Sequence, residues 1–249
     1  MLSYYMLLQG DCLLIMPTLE TNSVDMVLVD LPYGQTACSW DCEIDLAEMW
    51  VQLKRICKPN ANIVFFCTTK FGYQLIKSNE KWFRSDLVWE KPNIVGFLSS
   101  KKMVLRKHEM IYLFGKPSGG GKTYNPQKTT GHKTMKVPAY GIDNGVKDVY
   151  GQKYKPAHTV DDTRFPTSVQ RFGCTGVNEK RGKYHRTQKP VALCEWLIKT
   201  YSNEGETVLD FTMGSGSTIV AAKNTGREFI GIELDEEIFK IAENRLNED

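Results

Sequence analysis

Short apolar runs alternate with amphipathic segments near both ends of the chain. The strand-like runs cover residues 24–30, 63–67, 207–211 and 229–233. The segments with helical spacing of apolar residues cover 46–56, 217–224 and 236–245. Strands and helices that alternate in this way share one core, so the pattern predicts an α/β fold with a doubly wound, mostly parallel sheet. Two further strand candidates lie at 85–89 and 110–114.

Length and composition indicate a folded globular protein. The chain has 249 residues, of which 41% are hydrophobic and 24% charged. A chain of this size buries about 70–75% of its surface on folding, which excludes intrinsic disorder of the whole chain. The apolar runs are far shorter than the roughly 20 residues that cross a bilayer, so no transmembrane helix is expected.

The cysteines and the N-terminus favour a reduced, cytoplasmic compartment. The seven cysteines are odd in number and irregularly spaced, and the first ten residues lack a basic leader with a cleavage site. Cys38 and Cys42 resemble half of a zinc site. No second Cys/His pair follows at ligand spacing, so no metal is expected.

The net charge of +3 conceals a strong asymmetry along the chain. Residues 90–186 contain 19 Lys and Arg against 7 Asp and Glu, a net charge of +12, whereas the two flanks together carry −9. This middle segment is rich in glycine and proline and has little apolar periodicity, so long loops and short strands are expected. Basic residues interleaved with aromatic ones are typical of nucleic-acid binding. We interpret 90–186 as a basic insertion between two parts of one domain, 1–89 and 187–249.

Two motifs on the C-terminal side lie where an open α/β sheet binds its ligands, just after strands. Segment 210–218 places Gly214 and Gly216 before a helix, so the backbone can turn sharply and approach a ligand closely. Ile219 replaces the third glycine of the dinucleotide-binding fingerprint, which excludes that fingerprint. Glu233 ends the next strand, where a carboxylate can accept hydrogen bonds from both ribose hydroxyls of an adenosine cofactor.

A third motif, Asp30-Leu31-Pro32-Tyr33-Gly34, directly follows the N-terminal strand. It presents a carboxylate, a turn stiffened by proline and an aromatic ring together. Such a group can bind a planar ring that carries an amine, by hydrogen bonding and by stacking. The three motifs are expected at the same edge of the sheet.

These motifs resemble those of DNA methyltransferases that transfer a methyl group from S-adenosylmethionine to an exocyclic amine. Residues 30–33 are similar to the family's Asp-Pro-Pro-Tyr-type catalytic motif, and 211–216 to its Phe-x-Gly-x-Gly cofactor motif. Segment 185–190, which leads into a helix at 191–201, and Gln9-Gly10-Asp11 resemble two further family motifs. The catalytic motif precedes the cofactor motif, which is the permuted order of the beta class. Residues 30–41 are most similar to phage and prophage members, which implies a location in the cytoplasm of a bacterial or phage-infected cell.

The resemblance implies a role for each matching residue. The implied catalytic residues are Asp30, Leu31, Pro32 and Tyr33. The implied cofactor-binding residues are Asp11, Thr187, Lys189, Asp210, Phe211, Thr212, Gly214, Ser215, Gly216 and Glu233. Lys189 and Thr187 are expected at the cofactor's carboxylate, Asp11 at its adenine and Glu233 at its ribose. Leu31 replaces the family's first proline; because the family uses the backbone carbonyl at this position, the resemblance implies that Leu31 is tolerated. Thr212 stands where the family has Phe, which leaves open whether Phe211 or another aromatic residue lines the methionine portion.

The catalytic motif favours adenine N6 as the methylated atom, because an Asp in its first position is typical of adenine enzymes. Cytosine N4 is the alternative, since the motifs of the two activities overlap, and RNA is a further one. Methylation of cytosine C5 is disfavoured, because that reaction uses a thiolate from a Pro-Cys pair and none of the cysteines follows a proline. A protein-glutamine methyltransferase is disfavoured, because such enzymes carry Asn in place of Asp30. A nucleic-acid-binding module without catalysis is also disfavoured, because its motifs are expected to be degraded, whereas Asp30, Tyr33 and Gly214 are intact.

The implied partner is double-stranded DNA, read by the 90–186 segment with the target base flipped out of the helix. No membrane partner is expected. A homodimer and a cognate restriction endonuclease both fit the resemblance, and the sequence decides neither, nor does it give the recognition site. By the same resemblance, 1–89 is the catalytic half and 187–249 the cofactor-binding half of one domain.

Overall fold

A computed structural model describes residues 5–32, 44–117, 122–138, 157–173 and 188–247. The strands are β1 (Tyr5–Gln9), β2 (Val24–Asp30), β3 (Cys57–Cys67), β4 (Phe83–Val95), β5 (Arg106–Phe114), β6 (Met135–Val137), β7 (His158–Val160), β8 (Val169–Arg171), β9 (Thr207–Asp210) and β10 (Glu228–Glu233). The helices are α1 (Cys12–Ile15), α2 (Leu46–Ile56), α3 (Thr69–Ser78), α4 (Val191–Tyr201), α5 (Ser217–Asn224) and α6 (Glu236–Asn247). Short 3-10 turns cover Met16–Thr18, Glu80–Trp82 and Phe97–Ser99.

Eight strands form one central sheet in the order β1-β10-β9-β2-β3-β5-β4-β8. The first five of these run parallel to one another, β5 is antiparallel to both β3 and β4, and β8 is parallel to β4. The predicted mostly parallel, doubly wound sheet is therefore confirmed. Strand β1 and helix α3 are elements that the apolar pattern did not predict.

Two apolar layers cover the sheet, one on each face. On one face, α2 and α3 contribute Trp50, Leu53 and Leu75 to a core cluster with the inward side chains of β2 and β3. On the other face, α4 and α5 pack Leu197 and Ile219 against the remaining sheet residues. Residues Val24–Val29 are all buried, because helices cover this strand on both faces. Strands buried in this way are typically apolar along most of their length, as β2 is.

The chain divides into two compact units, Met1–Asn125 with Ser168–Asp249, and Pro126–Thr167. The second unit contains the antiparallel pair β6–β7 and an isolated bridge between Thr129 and Arg164. The separate unit is thus shorter than the basic insertion at 90–186, since β5 and β8 within that range belong to the central sheet. Within the described ranges, no helix is long and apolar enough to cross a membrane.

Candidate active site

The topology creates a crevice at the carboxyl ends of β2 and β9. From β2 the chain adds β3 on one side, and β9 and β10 lie on the other, so the order of the strands reverses between β2 and β9. Open α/β sheets bind ligands at such a switch point. Asp30 ends β2 and Asp210 ends β9. The Thr212 hydroxyl donates a hydrogen bond of 3.0 Å to the Asp30 backbone carbonyl, which ties the two strand ends together.

The glycine turn after β9 has two glycines with different constraints. Both lie in the left-handed region, Gly214 at φ +52° and Gly216 at φ +79°. A Cβ on Gly216 would lie 3.1 Å from the Cβ of Ala242 on α6, so this glycine allows α5 and α6 to pack closely. A Cβ on Gly214 would meet no atom of the described residues within 4 Å. The backbone at Gly214 therefore faces open space at the crevice, where a ligand could approach it.

The Glu233 carboxylate accepts hydrogen bonds from two backbone amides. Its Oε2 atom accepts from Gly214 N at 2.9 Å, and its Oε1 atom accepts from Asp235 N at 2.9 Å. Strand β1 brings the N-terminal motif to the same place, because Gly10 N donates to the Glu233 carbonyl at 2.8 Å. Asp11 is the N-cap of α1, and its carboxylate accepts a hydrogen bond from Leu13 N at 2.8 Å. Motifs from the two ends of the sequence thus meet at one edge of the sheet.

Asp210 is a buried carboxyl group whose ionisation is disfavoured. Burial raises its pKa to about 7, and the hydrogen bonds from the Thr218 side chain and from Thr212 N only partly oppose this effect. The nearby negative charges of Asp30 and Glu233 raise it further. A carboxyl group with this pKa at a strand end is a functional candidate, since a ligand with positive charge would favour its ionised form.

Lys189 forms an ion pair with the Asp30 carboxylate. The same ammonium lies 3.1 Å from Glu109 Oε1, and Lys91 Nζ lies 2.6 Å from Glu109 Oε2. The face of the Phe66 ring lies 5.1 Å from the Lys189 ammonium. Burial alone would lower the pKa of Lys189, but Asp30 and Glu109 raise it well above its ordinary range. The result is a chain of alternating charges that begins at the end of β2 and crosses to β5 and β4.

The structure brings most of the predicted site residues together, with some differences of position. Lys189, expected at the cofactor's carboxylate, has its ammonium on Asp30 and Glu109. The Phe211 ring is 1% exposed and packs in the apolar core, so it presents no surface to the crevice. Leu31 is also buried, and Pro32 is half-buried. Tyr33 and Thr187 lie outside the described residues.

Two polar residues of the site were missed by the sequence reasoning. Glu109 directly precedes the predicted strand 110–114, and the alternation Glu109, Ile111, Leu113 could have placed it on the face that α4 covers. Arg245 is buried and donates to the Ser215 carbonyl at 3.0 Å and to the Ser217 hydroxyl at 3.1 Å. It fixes the glycine turn from α6, and the sequence contains no local signal for that contact.

Comparisons with known proteins agree with this geometry. The model of the N6/N4 methyltransferase family, described as DNA methylase, matches residues 24–244. The type II methyltransferase M.HpaI of Haemophilus parainfluenzae is 29% identical over 92% of this chain and 70% of its own length. The crystal structure of an M1.HpyAVI–SAM complex is similar with a TM-score of 0.65 and 23% identity, over 98% of this chain and 99% of the other.

The PvuII DNA methyltransferase, a cytosine-N4-specific enzyme, shares the fold with a TM-score of 0.68 and 14% identity, over 98% of this chain and 86% of the other. Structural similarity at these identities concerns the fold, whereas the family model matches a range of the sequence that includes segments 30–33 and 211–216. The chain therefore belongs to the DNA methylase family, the S-adenosylmethionine-dependent methyltransferases that act on the N6 or N4 amines of DNA bases.

Proposed function

We propose that this protein methylates the N6 amine of adenine in double-stranded DNA. The observation that carries the proposal is the position of Asp30. It lies at the switch point beside the glycine turn, and its carboxylate forms an ion pair with Lys189. An acceptor for the amine and a turn for the cofactor thus lie at the ends of adjacent strands, as transfer between two bound molecules requires.

The crevice residues fit S-adenosylmethionine. The open space above Gly214 admits a ligand against the backbone, and the Glu233 carboxylate provides an acceptor at the end of β10 for ribose hydroxyls. Asp210 is assigned to the positively charged methionine end, with Thr212, Ser215 and Gly216 shaping the turn and Asp11 on the adenine side. Phe211 supports this turn from the core. Thr187 is assigned to the carboxylate of the cofactor, and Lys189 to the Asp30 carboxylate with which it forms an ion pair. When bound, the cofactor supplies a methyl group activated by a sulfonium.

Asp30 and the Leu31 carbonyl are assigned to the two hydrogens of the target amine. An exocyclic amine is a poor nucleophile because its lone pair is delocalised into the ring. Acceptors on both hydrogens draw the nitrogen toward tetrahedral geometry, which directs the lone pair out of the ring plane. Pro32 stiffens the turn, and Tyr33 is assigned to stacking on the base. Flipping the base out of a duplex costs a few kcal/mol, which contacts to the DNA backbone must offset.

Adenine is preferred over cytosine because Asp occupies the first position of the catalytic motif. The cytosine N4 amine also has two hydrogens and would find the same acceptors, so it is the second candidate. The 90–186 segment is assigned to target recognition, and its net charge of +12 predicts DNA binding that weakens steeply with salt. An affinity that does not change with salt would contradict that assignment.

The test is to incubate the purified protein with S-adenosylmethionine and unmethylated duplex DNA of mixed sequence, and to analyse the nucleosides by mass spectrometry. We expect N6-methyladenine with the wild-type protein and none with Asp30→Ala. Asp45→Ala is the matched control, because that carboxylate caps α2 by accepting from Ala47 N and Glu48 N, and its loss is expected to leave the product unchanged. N4-methylcytosine would overturn the choice of base. Product from RNA alone, or no product, would refute the assignment to DNA.

A further inference from the structure

We infer that Lys189 and Glu109 are positioning residues that hold the Asp30 carboxylate for catalysis, an inference that rests on the proposed function. Lys189 lies two residues before α4 begins, and Glu109 lies on β5 next to the end of β3. Their side chains are only 11% and 12% exposed. A bond that joins residues 159 positions apart in the sequence, at the proposed catalytic carboxylate, requires an explanation.

The arrangement is costly unless it serves a purpose. Moving an ammonium or a carboxylate out of water costs several kcal/mol per ion, and replacing such pairs by apolar residues is often neutral or stabilising. Here one ammonium is shared by two carboxylates, and Lys91 in turn compensates Glu109. Because Glu109 takes up part of the charge of Lys189, Asp30 is fixed in place and keeps negative charge with which to accept a hydrogen from the substrate amine.

Other titratable groups surround this network in the part of the chain that the structure describes. They are Lys91 on β4, Cys67 on β3, Cys194 on α4, Asp210 on β9 and Glu233 on β10. Burial raises the pKa of both thiols, so they are neutral in the physiological range. Lys189 and Lys91 hold the pKa of Glu109 below its ordinary value despite burial. Asp210 is the neighbour that titrates near neutral pH, so its contribution is measured separately.

The test measures single-turnover methylation between pH 5.5 and 8.5 for wild type, Glu109→Gln, Lys189→Met and Lys189→Arg. In Glu109→Gln the charge of Lys189 bears on Asp30 alone, which weakens the acceptor. We expect its rate constant to fall about 10- to 100-fold, with the half-saturating concentration for DNA changed by less than about threefold. Lys189→Met leaves two close carboxylates without their cation, so its rate should rise with pH more steeply than that of wild type. Lys189→Arg should restore the wild-type profile in part.

The matched control is Lys58→Met, which removes a comparable ion pair to the buried Asp25 at the opposite end of β2. It should destabilise the protein without changing the pH profile. Wild-type activity tests the proposed function by itself. If wild type is active but Glu109→Gln and Lys189→Met keep its rate and profile, the positioning role is wrong. Loss of activity in step with loss of thermal stability, as in the control, would also overturn it.

A second inference concerns the tip of the β4–β5 hairpin. Strand β3 ends at Cys67, opposite Met110, but β4 and β5 stay paired as far as Val95 and Arg106. On β5 the hairpin therefore continues four residues beyond the catalytic edge, roughly 13 Å at about 3.3 Å per residue, and β4 uses seven residues over the same stretch because its register shifts between Glu90 and Val95. Strand β4 runs in the same direction as β2 and β3, so the tip of the β4–β5 hairpin projects from the edge of the sheet that carries Asp30.

The tip, residues 94–104, exposes apolar side chains among cations. Its exposed large apolar residues are Ile94, Val95, Phe97, Leu98, Met103 and Val104, and Leu98 is fully exposed. The turn is ordered by backbone bonds, including Ser99 N to Gly96 O at 2.9 Å and Met103 N to Ser99 O at 3.0 Å. Residues 91–108 contain five Lys and Arg and no acidic residue. By comparison, the separate unit 126–167 has a net charge of only +3.

The geometry points to duplex DNA as the occupant of this tip, with the cations on phosphates and the apolar side chains against base edges or between base steps. Nucleic-acid-bending proteins use apolar wedges flanked by basic residues in this way. Two copies of the chain joined through the same tip would bring equal positive charges together, which disfavours a symmetric self-contact.

Fluorescence anisotropy with a labelled mixed-sequence duplex over a potassium chloride series tests this inference. The double variant Lys101→Gln/Lys102→Gln should lower the salt slope by about 2, close to 0.9 per lost phosphate contact. Lys54→Gln/Lys77→Gln, with the two cations in the last turns of α2 and α3 at the opposite edge of the sheet, should not change it. Leu98→Ser should weaken binding at high salt several-fold, whereas Val51→Ser, on α2, should not.

Three results would overturn the inference about the tip. The first is an unchanged salt slope in the Lys101/Lys102 variant while wild type binds DNA. The second is a change from dimer to monomer in sedimentation of Leu98→Ser with DNA affinity retained, which would assign the tip to a second copy. The third is binding to phosphatidylserine vesicles that the tip variants lose while DNA binding persists. Absence of DNA binding by wild type would instead count against the proposed function.

Discussion

The carboxyl group of Asp210 is predicted to destabilise the fold increasingly as pH rises. Its pKa is about 7 in the folded protein, against an ordinary value of 3.8. Between these two values the folded state holds a proton that the unfolded state has released, so the free energy of unfolding falls with increasing pH. One unit of pKa corresponds to about 1.36 kcal/mol, so the full cost is about 4 kcal/mol above pH 7.

The perturbation that tests this is Asp210→Asn, which is nearly isosteric and cannot ionise. Its amide oxygen can still accept from Thr212 N, and its amide nitrogen can donate to the Thr218 hydroxyl. The variant should therefore be more stable than wild type, and its advantage should grow by roughly 2 to 3 kcal/mol between pH 5 and pH 8. Above pH 7 the advantage should become constant.

Urea unfolding without cofactor, followed by circular dichroism and tryptophan fluorescence at each pH, measures this difference. Subtracting the free energy of unfolding of the variant from that of wild type removes the contributions of all other titrating groups that the substitution leaves unchanged. A difference that is constant between pH 5 and 8 would refute the reasoning, because it would mean that Asp210 titrates with the same pKa in the folded and unfolded states. A variant that is less stable at every pH would show that the hydrogen bonds outweigh the cost of burial.

Other predictions concern the turn that Asp210 precedes. Gly231→Ala on β10 would place a Cβ 2.5 Å from the sulfur of Met213, so we expect about 1–3 kcal/mol of destabilisation in urea unfolding and weaker S-adenosylmethionine binding by calorimetry, because Met213 belongs to the turn. Unchanged cofactor affinity would show that Met213 moves away without disturbing the turn. Glu233→Gln sets an amide against a backbone N–H donor, either that of Gly214 or that of Asp235, so cofactor affinity should fall about tenfold or more. Equal affinity for variant and wild type would contradict the assignment of Glu233 to the cofactor site.

The sequence was sufficient to predict the elements that position the crevice. The run at β2 and the helical spacing at α2 and α5 agree with the structure to the residue, because burial on both faces or on one stripe leaves a strong periodic signal. The placement of Asp30 and Asp210 at one edge followed from the rule that parallel strands end together. The edge strand β1, Tyr5–Gln9, was not predicted, since it is only half-buried and short.

The sequence was not sufficient to predict the order of the strands or the partners of the charged residues. Strand β5 lies between β3 and β4, and an apolar run carries no information about which strand it pairs with. Lys189 was placed on the cofactor because its motif precedes the glycine turn in the chain. Its contact with Asp30 depends instead on α4 starting beside β2, which only tertiary packing decides.

The position of β5 also changes how the charge of the molecule is interpreted. The basic segment 90–186 looked like one insertion, yet its hairpin portion, 91–108, carries a net charge of +5 and is a continuation of the catalytic sheet, whereas the separate unit 126–167 carries +3. A cation on a paired hairpin is held at a fixed distance from Asp30, so a phosphate contact there constrains where the target base can lie. The base of the hairpin also carries Glu109, whose carboxylate forms an ion pair with Lys189. The same two strands therefore support both the proposed DNA contact and the proposed catalytic carboxylate, which makes the hairpin, rather than the separate unit, the element where substitutions should affect binding and rate together.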